Sequence, residues 1–230
     1  MAFQAPLFTP GEDATARHTI IAEAIRAEIL RNELAPGQRL VESDLCAQFS
    51  ANRRTIRAAL AELTHAGLVE RITNRGARVR IVSFTEALET AEVRQEVEGL
   101  CVARAAERAT GADMDVLRAL SAELETSVAA NDVEGFAAIT DRIFRTYTKI
   151  AAHPVAEEVL DRLRAQSARH GFRLRYTPGW LSHALPQWLA VVDAICAHDP
   201  EGARQALRRH SESWQAATRA LAEDRPPPRR

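Results

Sequence analysis

Residues 36–79 read PGQRLVESDLCAQFSANRRTIRAALAELTHAGLVERITNRGARV, and this stretch decides the fold of the N-terminal part. Leu34 to Gly37, LAPG, is a stop and turn. In RLVESDLCAQF, Ser43 can cap a short helix that ends near Phe49 and turns Leu45 and Phe49 inward. Next, Asn52 is the expected N-cap of a longer helix. Ile56, Leu60 and Leu63 form its buried stripe, and Gly67 ends it at C′. Two short apolar segments follow, Leu68 to Ile72 and Ala77 to Val82. The residues between them, Thr73 to Gly76, suit a tight turn, so the pair reads as a hairpin. Upstream, Thr19 can cap a helix from about Ile20 to Asn32, with Ile21, Ile25 and Ile29 at fourfold spacing. Helix, short helix, helix and hairpin make a winged helix-turn-helix of α+β type. Its third helix is built to enter a DNA major groove, and the hairpin tip reaches the backbone or minor groove.

The arginines suit that use. Arg53, Arg54 and Arg57 lie in the first turns of the third helix, and Arg53 and Arg57 share a face. Planar guanidinium groups grip guanine edges or phosphates in pairs of hydrogen bonds, and helix N-terminal amides add phosphate affinity. A solvated helix face carries arginines too, so it is the combination with turn and hairpin that points to nucleic acid.

Charge is divided to match. The whole chain of 230 residues carries a formal net charge of -1, which excludes wrapping nucleic acid by charge alone. Residues 1–82 hold 11 Arg and 9 acids, whereas residues 83–230 hold 19 basic and 22 acidic residues. A basic module therefore precedes an acidic one. The 3 cysteines, Cys46, Cys101 and Cys196, are too far apart for a metal knuckle or a small disulfide framework, so a reducing compartment is expected. The N-terminus lacks a secretion signal and no apolar run is long enough to span a membrane. A cytoplasmic protein is the expectation. Residues 1–17 and 223–230, the latter EDRPPPRR, are expected to be a flexible segment and a disordered tail.

Residues 36–79 also resemble the GntR family of bacterial transcription regulators, whose usual run is PGxRLxExxLAxxxGVSRTPVREALxxLxxEGLV followed by a glycine-bearing wing. The resemblance implies that Arg39, Arg53 and Arg57 hold the DNA-contacting arginine positions, and that Arg75 and Gly76 form the wing tip. Asn52, Arg54 and Thr55 stand where the family has Ser, Thr and Pro, so an altered operator is expected. Cys46 replaces the usual Ala, which packing explains.

The remainder, from Ser83, shows little strand. Alanine occurs 43 times in the chain, which favours helix. Helices are expected near Thr85–Thr110, Asp113–Ala130, Val133–Ala152, Val155–Arg175, Pro186–Ala197 and Glu201–Glu223, a six-helix all-α bundle. Cys101 and Cys196 fall in apolar stripes, and His65, His170 and His198 read as surface or cap residues.

Residues 83–222 resemble the FCD effector domain, the usual partner of this winged helix in the FadR-like branch. Arg94 and Glu98 fit its opening EVRxxxE, DRIFR from Asp141 to Arg145 fits DxxFH except at the last position, His153-Pro154 stands at Asn-Pro, and AVVDAICAHDPEGARQALRRH from Ala190 to His210 follows its closing segment. The resemblance implies a homodimer and an effector site. Many such domains hold a divalent metal through one Asp and three His. Asp141 and His210 match two of these positions, but Arg145 and Trp188 stand at the others. Neither side chain offers a metal a usable lone pair, so no metal or other cofactor is expected. Two readings of the replacement stay open. Arg94, Asp141, Arg145, Trp188 and His210 line a pocket for an anionic effector, with Trp188 giving aromatic contact. Alternatively, Asp141 and Arg145 satisfy each other and Trp188 fills the cavity.

The reading is a ligand-responsive repressor, a homodimer on a palindromic double-stranded operator released or engaged by a small anionic metabolite. The alternative is a DNA-binding regulator whose helical part only dimerises. An enzyme is disfavoured, because no nucleophile motif, phosphate loop or cofactor fingerprint accompanies Asp141 and His210.

Overall fold

The computed structural model describes residues 14–31, 33–72 and 76–223, and the chain divides into two compact units after Ser83. The first unit contains α1 (Ala14–Leu30), β1 (Arg39–Leu40), α2 (Glu42–Gln48), α3 (Arg53–His65), β2 (Val69–Ile72) and β3 (Gly76–Val79). Its core is the expected stripe: Ile21, Ile25, Ile56 and Leu63 are fully buried, joined by Leu45, Phe49 and Leu60. Asn52 caps α3, its side chain accepting from the Thr55 amide at 2.9 Å, and Gly67 follows the C-cap with φ +73°.

Three local expectations are corrected. Helix α1 begins at Ala14, so Thr19 lies inside it and residues 14–17 are helical rather than part of a flexible segment. Ser43 lies within α2, whose N-cap is Val41 without a side-chain bond. The acids Glu42 and Asp44 in its first turn complement the helix dipole instead. The hairpin is also one strand larger than expected. The sheet order is β1-β3-β2, antiparallel, with Arg39 opposite Arg78 and Glu70 opposite Arg78 on the other side. Gly37 makes this third strand possible. At φ +78° it turns its amide onto the Val79 carbonyl at 2.9 Å, and Val79 returns a bond to Gln38. The turn residues Thr73, Asn74 and Arg75 lie outside the described residues, as do residues 1–13 and the tail from 224.

The second unit comprises α4 (Phe84–Arg108), α5 (Gly111–Ala129), α6 (Val133–Ala151), α7 (Pro154–Arg175), α8 (Trp180–Cys196) and α9 (Pro200–Glu223). Helix α4 packs on α6, α7, α8 and α9, and its alanines Ala91, Ala105 and Ala106 are fully buried at those approaches. Leu117, Leu124, Ile143, Phe144, Tyr147, Leu160, Val191 and Ile195 fill the core. The helix starts are chemically marked. Thr110 and Asp113 form a capping box, Asp132 accepts from the Gly135 amide, and Pro154 occupies the first turn of α7 behind the His153 cap.

One boundary in this unit is also corrected. Helix α8 starts at Trp180, not at Pro186, which lies inside it on the exposed side. Trp180, Leu181, Ala184, Trp188 and Val191 make one buried face running past the proline, and that burial outweighs the backbone bond the proline forfeits.

Candidate functional site: a nucleic-acid interface and a buried ionic network

The N-cap of α3 fixes where its first-turn arginines point. Arg53, Arg54 and Arg57 are all exposed. Glu42 of α2 holds Arg57 by its Nε, at 3.0 Å and 2.9 Å from the two carboxylate oxygens, while 62% of the Arg57 side chain stays open to solvent. The ion pair thus restrains the guanidinium by its inner edge and leaves its outer edge available. Arg39 on β1 and Gly76 at the start of β3 are also exposed. A recess of about 460 Å³ between α3 and the wing is lined by Glu42, Arg57, Arg71 and Gly76 among others.

Two residues of the expected set do something different. Thr55 is buried, and both its amide and its hydroxyl donate to Asn52 Oδ1, at 2.9 Å and 3.0 Å. Asn52 and Thr55 build the cap that presents the arginines; the Thr55 side chain is not on the outward surface. Arg75 lies outside the described residues.

In the helical unit Arg94, Asp141 and Arg145 belong to an ionic network whose central Arg164 sequence reading missed. Glu98 of α4 is buried and accepts a bond from Tyr147 Oη at 2.5 Å. Arg94 lies one turn earlier, its Nε 3.5 Å from Glu98 Oε2 and its guanidinium carbon 5.5 Å from the Trp214 ring centre. Arg164 of α7 sits 3.8 Å from Glu98 Oε1, donates to Asp141 Oδ1 at 3.0 Å, and stacks 3.7 Å over the Phe144 ring. Trp188 and His210 meet with ring centres 4.6 Å apart and planes tilted by 52°, and His210 Nδ1 bonds Gln187 Oε1 at 3.2 Å. Since an amide oxygen only accepts, Nδ1 carries the proton.

Arg145 departs from expectation. It pairs with Asp141 Oδ2 at 3.0 Å, but 64% of its side chain is exposed, so it stands outside the core. The inner oxygen of Asp141 already belongs to Arg164, and Arg145 is left with the outer one. A hint of an inner cation was present in the sequence: Glu98 falls on the buried face of α4 with Ala91, Val102 and Ala105, and a carboxylate there requires a cation.

The electrostatics follow from this crowding. Burial, reinforced by the charges of Arg94, Arg164 and His183, pushes the His210 imidazole down to about 3, so it is neutral at ordinary pH. Burial and the Glu98 charge raise the Tyr147 phenol well above its usual range. Burial also lowers the Arg94 guanidinium, with Glu98 opposing. Burial pushes the Cys101 thiol up to about 11, which leaves it an inert packing group.

A divalent metal does not fit here. Asp141 has both oxygens on guanidiniums, Arg145 and Trp188 have no lone pair to give, and only His210 remains as a donor at the four positions. Among the described residues no three His, Cys, Asp or Glu gather as a metal would require.

Known proteins agree with the two-unit architecture. Residues 18–79 match the bacterial regulatory proteins of the gntR family, and residues 89–213 match the FCD domain. The chain belongs to the GntR family. A transcriptional regulator of Agrobacterium vitis, from the TAR-I ttuE-ttuC′ intergenic region, is 30% identical over 56% of this chain and 77% of that protein. The transcriptional repressor RspR of Escherichia coli is 22% identical over 89% of this chain and 90% of that protein. The solved structure of E. coli McbR/YncC superposes with a TM-score of 0.79 at 20% identity, covering 89% of this chain and 98% of that one. The GntR-family chain is thus a DNA-binding transcription regulator rather than an enzyme. No helix among its described residues is long and apolar enough to cross a membrane.

Proposed function

We propose that this chain is a ligand-responsive repressor that binds a palindromic operator as a homodimer. The carrying observation is the exposed arginine set of α3, with Arg57 held ready by Glu42. Arg53, Arg54 and Arg57 read base edges or phosphates, Arg39, Arg75 and Gly76 engage the flanking backbone or minor groove, and Asn52 with Thr55 fixes the helix start. Repressors among its relatives support the sign of regulation. Titration of DNA from the region upstream of its own gene, followed by fluorescence anisotropy, tests this reading. Binding with no preference over random DNA would defeat it. Arg54, in place of a small hydroxyl, shifts the base preference; selection of bound DNA that returns the family's ordinary operator overturns that part.

The helical unit takes a small anion. Arg94 supplies a buried guanidinium, Trp188 and His210 a pair of rings 4.6 Å apart, and Arg145 an exposed guanidinium on Asp141. Dialysed protein screened by thermal shift against small organic acids and phosphorylated metabolites is the test. A second reading has its own observation: each carboxylate already holds a guanidinium, as in a core that only dimerises. No stabilisation by any anion would favour that reading.

A further inference from the structure

The ionic network of the helical unit is centred on a side chain. Arg164 reaches Asp141 at 3.0 Å with Nη2 and Glu98 at 3.8 Å with Nη1, and covers the Phe144 ring at 3.7 Å. Its partners belong to α4 and α6, so one α7 residue ties three helices together. Glu98 is buried, and a buried carboxylate calls for a compensating cation beside it. The metal set that the resemblance implies is one Asp and three His, with Asp141 at the position of the Asp. Here the residues at those positions cannot hold a divalent metal, and the inner oxygen of Asp141 is on Arg164. A guanidinium is suited to the exchange: it is permanently charged, donates in a planar fork, and stacks on an aromatic face.

We propose that Arg164 is the resident cation of this domain, standing in for the fold family's divalent metal, so that the α4–α6–α7 arrangement is held without metal. The proposal is independent of whether an effector binds. It predicts a latent metal site that Arg164 blocks. Arg145→His and Trp188→His together complete the set of one Asp and three His, yet with Arg164 in place the carboxylate is occupied and the positive charge repels the ion. Adding Arg164→Met removes that cation while keeping an apolar chain over Phe144.

The test uses full-length protein, stripped with chelator, equilibrated with zinc, dialysed, and assayed for zinc content and melting temperature. The natural chain is expected to hold no stoichiometric zinc and to melt at the same temperature in zinc and in chelator. The Arg145→His/Trp188→His variant is expected to behave likewise. The variant that also carries Arg164→Met is expected to bind about one zinc per chain and to become chelator-sensitive. Stoichiometric zinc in the natural chain, equal zinc in both variants, or none in a folded triple variant would overturn the proposal. If the triple variant does not fold, two single variants decide. Arg164→Lys should retain most of the melting temperature that Arg164→Met loses, and equal behaviour of the two would overturn it.

Discussion

The same residue type does opposite work in the two units. On α3, Arg53, Arg54 and Arg57 are exposed, and where Arg57 has a partner that partner orients it. In the helical unit, Arg94 and Arg164 are turned inward, each beside Glu98, and they neutralise the interior. With 30 Lys and Arg in total, of which Lys149 is the single lysine, the chain relies on guanidinium for both tasks. The difference lies in what faces each group. A cation whose outer edge meets water is available to a polyanion. A cation closed in by carboxylates and rings is part of the fold.

The sharpest way to break this comparison is to remove the shared inner partner. Glu98→Ala leaves Arg94, Arg164 and the Tyr147 hydroxyl without their buried acceptor. Breaking a buried ion pair from one side costs about 3–5 kcal/mol, which should appear as a lower urea midpoint. A loss no larger than that of a surface substitution would show that water reaches this network. On the outward side, Arg57→Ala should leave the urea midpoint nearly unchanged, because its pair with Glu42 is open to solvent. DNA affinity should instead fall by about 1–3 kcal/mol, with relaxed preference at one base position if the contact is to a base edge. A uniform fall across sequences with a shallower salt dependence would place Arg57 on a phosphate.

Burial of His210, reinforced by the inner cations, also leaves a mark on pH dependence. His210 is held to about 3 in the fold against an ordinary 6.5, so the unfolded chain takes the proton first. Stability therefore falls as pH drops below about 6.5 and stops falling from this source only near 3. Its steepest contribution is about 1.4 kcal/mol per pH unit. Urea unfolding at several pH values should show a steeper decline for the natural chain than for His210→Asn. Parallel curves would mean that the imidazole is solvated.

The outward half of the comparison was legible in the sequence and the inward half only partly, for a physical reason. Asn52 and the arginines after it act within a few residues of one another, and Gly67 closes the same helix, so spacing alone places them. The two-residue strand Arg39–Leu40 offers no alternation to read, and it exists because Gly37 turns the chain back onto Val79. Pro186 suggests a helix start, yet the apolar face from Trp180 to Ile195 carries the helix through it. Arg164 reads as an ordinary surface arginine in DRLRAQ, since its partner Asp141 is 23 residues away on another helix. The buried position of Glu98 calls for a cation, but Arg94 one turn earlier already meets that need, so nothing in the sequence singles out Arg164.

The smallest expected effect isolates that lesson within one carboxylate. Asp141 bonds Arg145 and Arg164 at the same 3.0 Å. Distance alone would rank the pairs as equal. Exposure separates them, at 64% for the Arg145 side chain and 27% for that of Arg164. An exposed pair at i,i+4 on a helix contributes about 0.3–0.5 kcal/mol and is screened by salt. Arg145→Ala should therefore lower stability by no more than about 0.5 kcal/mol, and less in high salt. Arg164→Met should lower it several-fold more and respond little to salt, because Glu98 is also left without its second cation. Equal losses for the two variants would mean that Asp141 is the anchor and that the identity of its cation does not matter.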